Sequence, residues 1–131
     1  MATPRKADAP PADLERDSKA LWKVTIAALE KQGTWTLSDL PLLERYIRAV
    51  QLERTARGDM DNARDDHLAR RRLAHGSTGQ LVAHPLEAIR QKADADAHKY
   101  ADALLLTPLA RQRNDLEAGE AQAGKFGAAL G

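Results

Sequence analysis

Four histidines, His67, His75, His84 and His98, together with 19 carboxylates, are the groups in this 131-residue chain that could move protons or hold a cation. No cysteine is present, which excludes thiolate catalysis, disulfides and the usual closed zinc sites. No serine or threonine sits in the glycine-flanked turn that exposes a nucleophile above a sheet. Asp59-x-Asp61-Asn62, followed by Asp65-Asp66-His67, has the look of a calcium loop. Such a loop needs glycine at its sixth position and a bidentate glutamate at its twelfth, and Arg64 and Arg70 stand there. The segment therefore reads as a solvated acidic helix start, with no metal. Gly76-x-x-Gly79 lacks the lysine and the strand-to-helix setting of a phosphate cradle. No catalytic residue and no cofactor is expected, so the chain reads as a non-enzyme.

The remaining chemistry is ionic. Arg70-Arg71-Arg72, with Arg64, His67 and His75 nearby, forms the one dense basic cluster, suited to gripping a phosphate backbone. Asp65 and Asp66 lie at helical spacing from these arginines and compete for them. Because 20 basic residues are balanced by 19 acidic ones, leaving a net charge of +1, bulk charge cannot hold nucleic acid. DNA contact must come from a local patch: Arg64, Arg70, Arg71 and Arg72, helped by Arg5 and Lys6 near the N-terminus.

The elements that must carry this patch are helical. Hydrophobic residues make up 43% of the chain, but alanine supplies much of that, and the aromatics are only Trp22, Trp35, Tyr46, Tyr100 and Phe126. A thin, alanine-rich core follows. Residues 1–12, with Pro4, Pro10 and Pro11, read as a disordered arm; 13–117 as one helical domain; and 118–131, interrupted by glycines, as a flexible tail. Trp22, Ile26 and Leu29 recur at helical spacing on a first helix near 13–32 that Gly33 stops. Ser38 caps a second helix with Pro41 in its first turn, carrying Leu40, Leu43, Tyr46, Ile47 and Val50 and closing near Gly58. These two form an N-terminal helical hairpin joined by residues 33–37, with apolar surface left over for neighbouring subunits.

A third helix is expected near 60–75, acidic first and basic last as a helix dipole favours, then a loop or small hairpin over 76–83. His84-Pro85 opens a fourth helix through about 106, with Leu86, Ile89, Ala93, Ala97, Tyr100 and Leu104 on its apolar face. Thr107-Pro108 opens a short fifth helix through Leu109 and Leu116. The fold class is all-α, of four to five helices. No apolar run approaches the ~20 residues of a membrane span, and the opening residues lack the apolar stretch of a secretory signal, so a soluble, intracellular protein is expected.

Several features, taken in order, resemble the phage terminase small subunits. They are Trp35-Thr36-Leu37-Ser38-Asp39 entering a helix with Leu43-Glu44-Arg45-Tyr46, then Gly76-x-x-Gly79, then His84-Pro85-Leu86, then Leu104-Leu105-Leu106-Thr107-Pro108-Leu109-Ala110-Arg111. The resemblance covers roughly residues 20–113, and Leu-Thr-Pro-x-Ala-Arg is its most specific part. The family commonly carries glycine where this chain has Leu105, and the charged segment 59–75 looks longer or more divergent than the family's. The likeness implies a helical protein that assembles as a homo-oligomeric ring and recognises double-stranded viral DNA. It also implies regulation of the large terminase subunit, which holds the ATPase and nuclease, in the cytoplasm of the bacterial host. It singles out Thr107, Pro108 and Arg111 as a motif; Trp22, Ile26 and Tyr46, from the apolar faces of the first two helices, are candidate oligomerisation or structural residues. Two other readings fit the residues alone: a small helical transcription regulator with a helix-turn-helix, and a helical scaffold that binds only protein.

Overall fold

The computed structural model describes the backbone of residues 9–33 and 35–130, with side chains up to residue 119. Arg5 and Lys6, with most of the expected arm, lie outside the described residues. The order is α1 (Arg16–Gln32), α2 (Leu40–Asp61), α3 (His67–Arg70), β1 (Leu73–His75), β2 (Leu81–Ala83), α4 (Pro85–Ala103) and α5 (Pro108–Leu130). The mostly helical class expected from the sequence holds.

Helix α1 presents Trp22, Ile26 and Leu29, all buried, and ends at Gly33 in the left-handed conformation (φ 69°), whose N–H reaches Leu29 O and Glu30 O. Glycine takes this conformation without the Cβ clash other residues suffer. The chain then turns through a 3₁₀ segment, Leu37–Asp39. Here Thr36, not Ser38, sits at the cap: its N–H donates to Asp39 Oδ2 at 2.9 Å, and Asp39 N–H returns to Thr36 O at 3.0 Å. Ser38 instead shares a hydroxyl hydrogen bond with Thr36. The core gathers Leu14, Trp22, Ile26, Leu29, Leu43, Ile47 and Leu104, with Trp35 and Tyr46 packed against it. Trp22 and Ile26 are thus core residues of the α1–α2 hairpin, and Tyr46 is half-buried at its edge.

Helix α2 does not close at Gly58; it runs on to Asp61. Ala56 and Met60 are buried on either side of the glycine, and burying them outweighs glycine's entropic penalty in a helix interior, about 1 kcal/mol. The expected helix over 60–75 is broken up. After α2 ends, Asp66 Oδ1 accepts from Ala69 N at 3.1 Å and caps the single turn α3. Arg72 then adopts φ 64°, which ends the helical path and sends the chain into β1. β1 and β2 pair antiparallel, Leu73 opposite Ala83 and His75 opposite Leu81, around a turn held by Gly76 N–H to Gln80 O at 2.7 Å. The small hairpin allowed by the sequence is therefore present.

His84 caps α4 with its ring, Nδ1 accepting from Leu86 N at 3.1 Å, and Pro85 occupies the first helical position. Helix α4 lies antiparallel along α2, since Glu53 meets Arg90 near one end while Leu43 and Leu104 share the core at the other. Their seam is narrow and small: Ala49 and Ala56 on α2, Ala93 and Ala101 on α4. The α4 seam follows positions 86, 90, 93, 97, 101 and 104. Ile89 falls one residue off that path and is 42% exposed, contrary to the expected stripe. Helix α5 is longer than the short helix expected, continuing to Leu130 through an alanine-rich stretch that sustains it across Gly119. Among its described side chains, Ala110 in the first turn is buried, whereas residues 112–119 are all exposed.

Candidate nucleic-acid interface

The four arginines of the expected patch are not equivalent. Arg64 lies in the turn between α2 and α3, Arg70 ends α3 and Arg71 caps it; all three are exposed, and none is ion-paired among the described residues. Arg72 is set apart from them. Its guanidinium faces inward, with Nη1 at 2.6 Å from Asp61 Oδ1 and Nε at 3.5 Å from Glu87 Oε2. Its backbone is equally occupied: its N–H donates to Ala69 O, and its carbonyl accepts from His84 N at 2.9 Å.

Arg72 opens a chain of alternating charges that sequence reasoning did not find. Glu87 accepts from Arg90 at 2.6 and 2.9 Å and from Gln91 at 3.1 Å, and Arg90 in turn faces Glu53 at 3.6 Å. The Glu87 side chain is only 11% exposed. The Arg90 hydrogen bonds, reinforced by Gln91 and by the charges of Arg90 and Arg72, outweigh its burial and hold its pKa at about 2. This ladder ties the hairpin to α2 and α4. A hint lay in the sequence, since Glu87-x-x-Arg90 is an i,i+3 pair, but Asp61 and Arg72 meet only once the chain has turned back.

Three of the four described histidines have local work, and His67 stands exposed at the start of α3. His84 caps α4, His75 Nδ1 lies 3.2 Å from Gly79 O, and His98 Nδ1 lies 2.8 Å from Asp94 O. Among the described residues, no group of three His, Cys, Asp or Glu side chains is placed to hold a metal.

The Leu-Thr-Pro corner is built as a helix stop followed at once by a helix start. Leu105 takes φ 60°, Leu106 N–H donates back to Ala101 O at 2.9 Å, and Leu105 N–H to Asp102 O at 3.0 Å. That pair of bonds is the Schellman stop, and its left-handed residue is usually glycine. Leucine thus adopts the geometry that glycine permits more cheaply. Thr107 Oγ1 accepts from Ala110 N at 3.1 Å and donates to Asp102 Oδ1 at 2.7 Å, so one hydroxyl joins the end of α4 to the start of α5. Pro108 occupies the first position of α5, where no N–H is needed. Arg111 Nη1 donates to Leu106 O at 3.1 Å and Leu105 O at 3.5 Å, bracing the carbonyls that the stop leaves free.

Beside this corner, α2 and α4 part to leave a cleft of about 340 Å³. Tyr46, Val50, Ala97 and Ala101 give it apolar walls, and Glu53 and Asp94 add carboxylates.

No helix among the described residues is long and apolar enough to cross a membrane. No curated protein and no solved structure matches the chain. A family model does, that of the phage terminase small subunit, over residues 18–121. This span takes in the α1–α2 hairpin, the charge ladder, the β-hairpin and the Leu-Thr-Pro corner. The chain therefore belongs to the phage terminase small subunit family.

Proposed function

We propose that this chain is the DNA-recognising, regulatory and non-catalytic component of a phage packaging motor. In this reading it binds double-stranded viral DNA as a homo-oligomeric ring and controls the ATPase and nuclease of the large terminase subunit, in the cytoplasm of the bacterial host. The observation that carries the reading is the family match over residues 18–121, which assigns a role in phage DNA packaging. Support for a phosphate contact comes from Arg64, Arg70 and Arg71, exposed and without ion pairs among the described residues. Arg72 contributes differently, by fixing the hairpin beside them, and Arg5 and Lys6 are proposed as further contacts. Thr107, Pro108 and Arg111 set the direction in which α5 leaves the domain, so Arg111 acts on assembly and on the large subunit through that direction.

A weak patch repeated around a ring gains affinity from multivalency. The test is duplex binding by fluorescence anisotropy across a salt series, with native mass measured in parallel. Arg70→Ala with Arg71→Ala should weaken binding and flatten the salt slope by roughly one unit per lost phosphate contact, at unchanged native mass. An unchanged slope moves the DNA contact elsewhere, and a monomeric native mass overturns the ring.

A further inference from the structure

Among the described residues, the start of helix α5 and the α2/α4 cleft are two uncovered surfaces of complementary character on one chain. On α5, Leu109 and Leu116 are 56% and 65% exposed. At 100° per residue they share one stripe with Gln112 and Arg113, turned away from Ala110, the residue that meets the core. The cleft offers an apolar trough between Tyr46 and Val50 on one side and Ala97 and Ala101 on the other. Of its carboxylates, Glu53 is 14% exposed and already faces Arg90 and Arg57, each at 3.6 Å, whereas the Asp94 side chain is 52% exposed, with His98 at 3.6 Å. Leucines suit the trough, and Arg113 suits Asp94.

Among the described residues the chain does not bring the two together. Leu106 and Thr107 line the cleft, so α5 starts at its edge, yet residues 112–119 remain uncovered. The Schellman stop at Leu105, the Thr107–Asp102 bond and the Arg111 brace hold α5 in that outward direction.

We infer that the Leu109–Arg113–Leu116 stripe of α5 docks into the α2/α4 cleft of a second copy of this chain. The occupant's stripe and the receiving cleft are different surfaces, so the contact is head-to-tail and leaves one of each free on every pair. Such an interface propagates until it closes on itself. The inference rests on the reading of the chain as an assembling ring, and it names the surfaces that join.

The experiment uses the full chain and two single substitutions, one at the exposed Leu116 and one at Ala97, a half-buried wall of the cleft. Leu116→Asp spoils the stripe and leaves the cleft; Ala97→Arg fills the cleft, opposes Arg113, and leaves the stripe. Thermal unfolding by circular dichroism checks that each variant still folds cooperatively. Each is expected to raise the concentration needed for assembly by roughly ten- to a hundred-fold and to run as a monomer where the unsubstituted chain is an oligomer. Mixed in equal amounts, the two should form a discrete heterodimer by native mass, because one intact stripe still meets one intact cleft. Merely structural damage would not be repaired by mixing. If the unsubstituted chain is a monomer, the ring reading and this inference fall together. If it is an oligomer but the variants keep its mass, or their mixture stays monomeric, the inference alone is overturned. If Ala97→Arg does not fold, Asp94→Arg takes its place in the same mixing test with the same two outcomes.

Discussion

Leu105 holds the backbone of the Leu-Thr-Pro corner in a conformation that costs a side-chain-bearing residue roughly 1–2 kcal/mol relative to right-handed backbone. In ordinary helix positions glycine is worse than alanine; here the order reverses. Leu105→Gly should be more stable than Leu105→Ala by about 1 kcal/mol in urea unfolding. An alanine variant as stable as the glycine one would mean that residue 105 does not hold the left-handed conformation. Comparing these two variants removes the half-buried leucine side chain from both sides of the measurement, which isolates the backbone term.

Two of the elements make predictions of their own. Gly58 lies inside α2, and a Cβ built there meets its nearest neighbour, Asn62 Nδ2, at 3.8 Å, an ordinary contact. Gly58→Ala should stabilise the fold by about 0.5–1 kcal/mol, raising the melting temperature. The charge ladder answers to acid instead. Glu87 has its folded pKa lowered from 4.5 to about 2, so its contribution is full above pH 4.5 and is lost as the pH falls from there towards 2. Glu87→Gln should cost about 2 kcal/mol at neutral pH, because Arg72 and Arg90 lose their shared acid. It should also remove part of the drop in stability over that acid window, as seen in thermal melts at stepped pH.

These elements also mark what the sequence could tell. Periodicity and caps gave α1, the Gly33 stop, the His84-Pro85 start and the Thr107-Pro108 start. They act within a few residues of themselves, so local reasoning reaches them. The break-up of 60–75 was not legible, because it depends on Arg72 meeting Asp61 and Glu87, residues brought together only by the returning chain. Gly58 misled for the same reason: the buried Met60 that carries α2 onward is a tertiary effect. Of the candidate site, the basic cluster could be read as a list of residues. Its division into three outward arginines and one inward arginine could not, since that follows from the left-handed turn at Arg72.

For the whole molecule, the alanine seam between α2 and α4 has a calorimetric consequence. Ala49, Ala56, Ala93 and Ala101 let two helices lie close while removing little hydrocarbon from water. The heat-capacity increment of unfolding scales mainly with apolar area exposed, at an average of about 12–15 cal/mol/K per residue. A separated subunit should fall below that average in differential scanning calorimetry, giving a shallow stability curve that changes little with temperature. Assembly would add the missing apolar area, steepen the curve and make the melting temperature rise with protein concentration. In the proposed assembly, a seam built of methyl groups thus leaves the subunit's thermal response to be set by the company it keeps.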